Sequence, residues 1–167
     1  MAQGGTGLSA IPQIALVGCG YWGKNLCRNF FALDALKSVV DATENGQTTA
    51  RSIALDAEIT DSLDDVLRND QIQGVALATP AETHAELAIQ AMQAGKDVFV
   101  EKPMALTLED AEKMKKVAEE TGCILMVGHL LEFHPAVLKL REMIASGELG
   151  KINYIYSNRL NFGKVRT

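Results

Sequence analysis

The sequence predicts an α/β fold: a doubly wound parallel sheet with helices on both faces, followed by the start of a second, α+β domain. Three observations predict it. Short apolar runs alternate with helical-period segments from Ile14 onward, the rhythm of strands joined by crossover helices. A glycine-rich turn, Gly18-Cys19-Gly20-Tyr21-Trp22-Gly23, stands directly after the first run. The later runs end at further breaks, Thr79-Pro80, Glu101-Lys102-Pro103 and Gly128-His129. With 167 residues, 47% of them apolar, the chain can fill a core of ordinary domain size, which excludes a disordered polymer.

In order, residues 1–11 read as a flexible leader, without the basic start and long apolar core of a signal peptide. The expected strands are Ile14 to Val17, Lys37 to Asp41, Glu58 to Thr60, Gly74 to Ala78, Asp97 to Glu101 and Cys123 to Val127. Trp22, Leu26, Phe30 and Leu33 form the apolar stripe of the first helix, and Ala85, Ala88, Ile89 and Met92 that of the fourth. Gly95 and Gly122 stand where left-handed helix caps belong, and Thr107 with Asp110 resembles a capping box. Residues 12–130 thus form the sheet domain. From 131 to 167 the rhythm changes. Pro135 opens a helix with Val137, Leu140, Met143 and Ile144 inward, Gly147 ends it, and Lys151 to Leu160 alternates like a strand. A lone helix and strand cannot close a core, so the chain reads as stopping inside a second domain. The unpaired strand edge, with Ile152, Tyr154 and Tyr156 on one face, predicts a homodimer joined there.

Sixteen Lys plus Arg against 21 Asp plus Glu give a net charge of −5, without the basic stripe of a nucleic-acid groove. The longest apolar stretch, Cys123 to Leu131, is broken by Gly128 and His129 and falls short of the ~18 residues a membrane helix needs. Cys19, Cys27 and Cys123 are odd in number and lack metal-ligand or disulfide spacing. The chain therefore reads as a soluble protein of a reducing cytoplasm, with no metal, nucleic-acid or membrane partner.

The chemistry concentrates at the strand ends. In a turn of the form GxGxxG, the first glycine allows the turn, the second lets backbone approach a pyrophosphate, and the third lets helix pack on strand. The competing reading is an empty strand–helix turn. Asp41 lies 23 residues after Gly18, near the ~20-residue spacing at which an acid meets the adenosine ribose hydroxyls and repels a 2′-phosphate. No Lys or Arg follows in Ala42-Thr43-Glu44-Asn45, which favours NAD over NADP; a plain turn aspartate is the alternative. Lys102, at the mouth of the crevice where such sheets bind ligands, can donate to a hydroxyl oxygen or, if burial lowers its pKa, accept the hydroxyl's proton, unless it is merely a solvated surface lysine. Pro103 restricts the backbone beside it and suits a cis peptide. His84, in the first turn after Thr79-Pro80, reads as a positioning residue.

With Gly18 to Gly23, Asp41, Thr79-Pro80 with His84, and Val98-Phe99-Val100-Glu101-Lys102-Pro103 in place, the chain resembles the Gfo/Idh/MocA oxidoreductase family over residues 12–167. The resemblance implies an NAD(P)-binding Rossmann domain and a Lys102 that sits beside the nicotinamide and serves catalysis. It implies a cofactor site made of Gly18, Cys19, Gly20, Tyr21, Trp22, Gly23, Asp41, Thr79, Pro80, His84, Glu101, Lys102 and Pro103. The segment from Gly128 through His129 and His134 to Val137, with Tyr156 to Asn161 and Gly163 to Thr167, is similar to the UDP-N-acetylglucosaminuronate 3-dehydrogenase branch. That likeness implies a nucleotide-sugar substrate oxidised at its 3-hydroxyl, with His129, His134, Arg159 and Arg166 as substrate-side candidates. Family members continue into a larger sheet domain, so the alternative is an NAD-binding module without turnover.

Overall fold

Runs such as Ile14-Ala15-Leu16-Val17 and Gly74-Val75-Ala76-Leu77 carry no polar face, and strands of that kind are stable only with both faces covered. The computed structural model describes residues 11–158 and 160. Among them β1 (Ile14–Val17), β2 (Leu36–Val40), β3 (Glu58–Thr60), β4 (Gly74–Leu77), β5 (Asp97–Val100) and β6 (Leu125–Val127) form one sheet in the order β3-β2-β1-β4-β5-β6. Every neighbouring pair is parallel. The chain moves outward from β1 to β3, then returns past β1 to β4. That reversal puts the topological switch point between β1 and β4, where Val17 stands in register with Val40 on one side and Leu77 on the other.

The connecting helices are α1 (Gly23–Ala32), α2 (Glu44–Ile53), α3 (Leu63–Arg68), α4 (His84–Gln93) and α5 (Leu108–Thr121). Alternate strand residues enter two separate cores. Val17, Val40 and Leu77 pack with Val66 of α3, Met92 of α4 and Met114 of α5. Leu16, Val39 and Ala76 pack with Leu26 and Cys27 of α1 and Ala50 of α2. Because strand side chains alternate between faces, α1 and α2 cover one face and α3 to α5 the other. Leu16, Leu77, Met92 and Met114 are fully buried, each contributing about 1.5–3 kcal/mol against exposure.

Gly95 and Gly122 adopt φ of +74° and +73° past α4 and α5, and Thr107 accepts the Asp110 N–H at 3.1 Å while its hydroxyl donates to the Asp110 carboxylate. At α1 the expected stripe is narrower than the spacing suggested. Leu26 and Cys27 are buried, but Trp22 and Leu33, at the helix ends, stay 41% and 63% exposed.

The chain divides into two compact units, residues 1–128 and 129–167. In the second, α6 (Pro135–Ala145) is opened by His134 and followed by Gly147 at φ +76°. Its expected inward face is only partly realised: Val137 and Met143 are half-buried, whereas Leu140 and Ile144 are 48% and 43% exposed. The strand expected over Lys151 to Leu160 is corrected. Residues 151–158 and 160 form none, and Tyr154 and Tyr156 are 86% and 81% exposed. Alternation marks a strand only where a neighbour supplies the ladder, and the homodimer expectation rested on that edge. No helix among the described residues is long and apolar enough to cross a membrane.

Candidate functional site

Six loops, one after each strand, leave the sheet at its carboxyl ends. In the first, Gly18 has φ +91°, a region costly for L side chains. A Cβ there would also stand 3.0 Å from the carbonyl carbon and oxygen of Ala78. A Cβ on Gly23 would run into the Gly18 carbonyl, so this glycine lets α1 start flush against the turn. A Cβ on Gly20 would meet nothing within 4 Å. Two glycines are thus required by the protein's own packing, and the middle one keeps a face of backbone open. The start of α1 has no side-chain cap and no acid in its first turn, whereas Thr43, Ser62 and Thr107 cap α2, α3 and α5. An uncapped helix N-terminus with unobstructed backbone before it is an anion site.

Asp41 lies at the end of β2, as expected, and is tied to this turn. Its carboxylate accepts the Cys19 N–H at 2.7 Å, the Thr43 N–H at 2.9 Å and the Thr43 hydroxyl at 2.7 Å. Burial raises its pKa, but the bonds from Cys19 and Thr43 outweigh burial and hold the carboxyl below its ordinary value. Asp41 is therefore ionised at neutral pH. Of about four lone-pair positions on a carboxylate, three are taken. The expectation that Asp41 accepts both ribose hydroxyls narrows to one hydroxyl while these bonds persist. Gly46 makes the arrangement possible, since a Cβ there would collide with the Asp41 carboxylate. The sequence reading missed Gly46; the signal for it was a glycine inside a helix next to an acid at a strand end.

His84 is 1% exposed. Its Nδ1 lies 2.8 Å from the Pro103 carbonyl oxygen and its Nε2 3.0 Å from that of Thr79. A neutral imidazole can donate to one of them, an imidazolium to both. The side chain therefore bridges the loop after β4 to the loop after β5. Thr79 Oγ1 also accepts from the Thr83 hydroxyl at 2.7 Å. The Lys102–Pro103 peptide is cis. Lys102 is exposed and its ammonium has no hydrogen bond or ion pair among the described residues, leaving it available to a ligand. Glu101 is 6% exposed and accepts the Trp22 indole N–H at 2.7 Å.

The neighbouring Cys27 thiol, together with burial, pushes the Cys19 thiol far above its ordinary range. Cys19 thus serves through its backbone N–H, not as a nucleophile. Tyr21 is 75% exposed, with the Lys24 ammonium 5.5 Å over its ring. Of the substrate-side candidates, His129 is exposed, and His134 spends its Nδ1 on the Ala136 N–H at 3.2 Å, capping α6. Arg159 and Arg166 lie outside the described residues. A groove of about 680 Å3 lies elsewhere, between α5 and β6, lined by Met104, Leu108, Leu125 and Val127 among others.

Comparison with known proteins agrees with this fold. Residues 13–129 match the Gfo/Idh/MocA oxidoreductase family, NAD-binding Rossmann fold. Over 146 residues the chain is 36% identical to 2,7-anhydro-N-acetylneuraminate hydratase of Mediterraneibacter gnavus, covering 87% of this chain and 38% of that protein. It is 32% identical over 156 residues to UDP-N-acetylglucosamine 3-dehydrogenase of Acidithiobacillus ferrooxidans, covering 93% and 47%. The crystal structure of GenD2 from gentamicin A biosynthesis, in complex with NAD, superposes with a TM-score of 0.78 at 30% identity, over 89% of this chain and 43% of that one. The chain therefore spans less than half the length of these proteins. It belongs to the Gfo/Idh/MocA oxidoreductase family.

Proposed function

We propose that this member of the family binds NAD across the crevice between the loops after β1, β2, β4 and β5, and serves the oxidation of a sugar hydroxyl. The observation that carries the reading is the division of labour among the three glycines beside the uncapped start of α1. Gly18 and Gly23 are fixed by packing, while Gly20 leaves backbone open where a pyrophosphate would approach. The residues present suit this cofactor: the α1 terminus for the pyrophosphate, Asp41 for a ribose hydroxyl, and the loops of Thr79, His84 and Lys102 for the nicotinamide end. When bound, NAD supplies the hydride acceptor. Asp41, ionised and in no ion pair among the described residues, disfavours a 2′-phosphate and so selects NAD over NADP. Lys102, whose side chain has no hydrogen bond or ion pair among the described residues, holds the substrate hydroxyl and, as the neutral amine, takes its proton while hydride leaves the carbon for the cofactor.

For the substrate, we infer a UDP-linked N-acetyl amino sugar or its uronate, oxidised at the 3-hydroxyl. The relative from Acidithiobacillus and the similarity of the segment from Gly128 to Val137 support that reading. The test is NADH formation with UDP-N-acetyl amino sugars, their uronates and free inositols offered in parallel. NADH from the nucleotide sugars, lost in Lys102→Ala, is the expected result; NADH from inositols alone overturns the substrate. Cofactor binding without NADH from any substrate supports the second reading, a cofactor-binding module without turnover.

A further inference from the structure

Glu101 is an acidic side chain almost removed from water, at 6% exposure, and no ion pair is made to it among the described residues. A buried acid is costly unless its oxygens are hydrogen-bonded. Its two donors come from two different loops. Oε1 accepts the indole N–H of Trp22, 79 positions away in the glycine-rich turn, at 2.7 Å. Oε2 accepts the backbone N–H of Lys102 at 3.3 Å. The end of β6 is shaped around the same group, because a Cβ on Gly128 would stand 3.1 Å from Oε1 and 3.0 Å from the Phe99 ring. One buried acid therefore joins the turn that would hold the pyrophosphate to the residue that would hold the substrate hydroxyl.

We propose that Trp22 and Glu101 form a latch that positions Lys102 against the glycine-rich turn; the proposal rests on the NAD-binding reading above. Without the indole donor, Glu101 keeps only its longer bond, and the Lys102 loop loses its reference to the turn. The turn itself keeps its form, because Gly18 and Gly23 shape it independently of the indole. Trp22 is 41% exposed, so Trp22→Phe preserves the fold while removing the N–H. Both residues are positioning residues: they act on the nicotinamide end through Lys102.

The experiment compares NADH with ADP-ribose, which lacks the nicotinamide, by calorimetry on the full chain. Trp22→Phe should weaken NADH by roughly fivefold or more relative to ADP-ribose. Glu101→Gln, whose amide oxygen can still accept the indole N–H, should weaken NADH less than Glu101→Leu. Equal weakening of both ligands by Trp22→Phe would mean general loosening of the turn and would overturn the latch, as would no effect on either. The chain has one Trp, so a single indole N–H resonance reports on the bond. That resonance should shift upfield in Glu101→Leu, and an unmoved resonance refutes the hydrogen bond. If the unaltered chain binds neither ligand, the NAD reading itself fails, and the indole resonance still shows whether the bond exists.

Discussion

Substituting the middle glycine of the turn separates binding from folding. Gly20→Val adds a side chain where a Cβ has no neighbour within 4 Å, and Gly20 is not among the glycines of positive φ. The stability change should therefore stay within about 1 kcal/mol, as for surface positions without special geometry. The same side chain occupies the approach to the turn's backbone. Losing one charge-assisted hydrogen bond to a phosphate costs roughly 1.5–3 kcal/mol, and losing the whole approach should cost at least about a hundredfold in NAD affinity, or ~2.7 kcal/mol. Gly23→Ala should show the opposite balance, because its Cβ meets the rigid Gly18 carbonyl and overpacking of that kind costs about 1–3 kcal/mol in stability. Urea unfolding and calorimetric titration on both variants give the four numbers. Unchanged NAD affinity in a folded Gly20→Val protein would refute the assignment of the turn to the pyrophosphate.

Lys96 is 6% exposed and donates to the carbonyls of Asn69 and Ile72, both at 2.8 Å; Lys96→Met should cost about 2 kcal/mol in urea unfolding, and a loss below about 0.5 kcal/mol would show those carbonyls find other donors. His84→Ala removes the partner of two carbonyls and opens a cavity, so about 3 kcal/mol should be lost, again read from the unfolding midpoint. Gly46→Ala should displace the Asp41 carboxylate and raise NADP affinity relative to NAD; unchanged selectivity would show that Asp41 does not face the ribose. Asp41 has its pKa lowered in the folded state, so its contribution to stability is fully present above the unfolded value of about 3.9 and is lost as pH falls through the folded value. Asp41→Asn should accordingly flatten the acid limb of the stability profile below about pH 4 and leave its slope near neutrality unchanged.

The parts of this structure that sequence discloses are those governed by local rules. Runs such as Val98-Phe99-Val100 announce buried strands, Gly122 and Thr107 announce helix ends, and the glycine spacing with Asp41 announces the cofactor side. What stayed hidden depends on residues far apart in the chain. Nothing local links Trp22 to Glu101, requires Gly46 to make room for a carboxylate, or brings His84 within reach of the Pro103 carbonyl. The same limit explains the misreading after Gly147. Ile152, Tyr154 and Tyr156 alternate correctly for a strand, but alternation specifies only which side would be buried, and pairing needs a neighbour that residues 151–158 do not find.

The central claim is that the crevice beside β1 binds NAD and that Asp41 rejects the 2′-phosphate. Its most direct test is calorimetric titration of the chain with NAD and NADP under identical conditions. The account predicts NAD binding tighter by at least about tenfold, a difference of ~1.4 kcal/mol, shrinking in Asp41→Ser. Equal affinities or a preference for NADP would contradict the role of Asp41, and binding of neither would contradict the site.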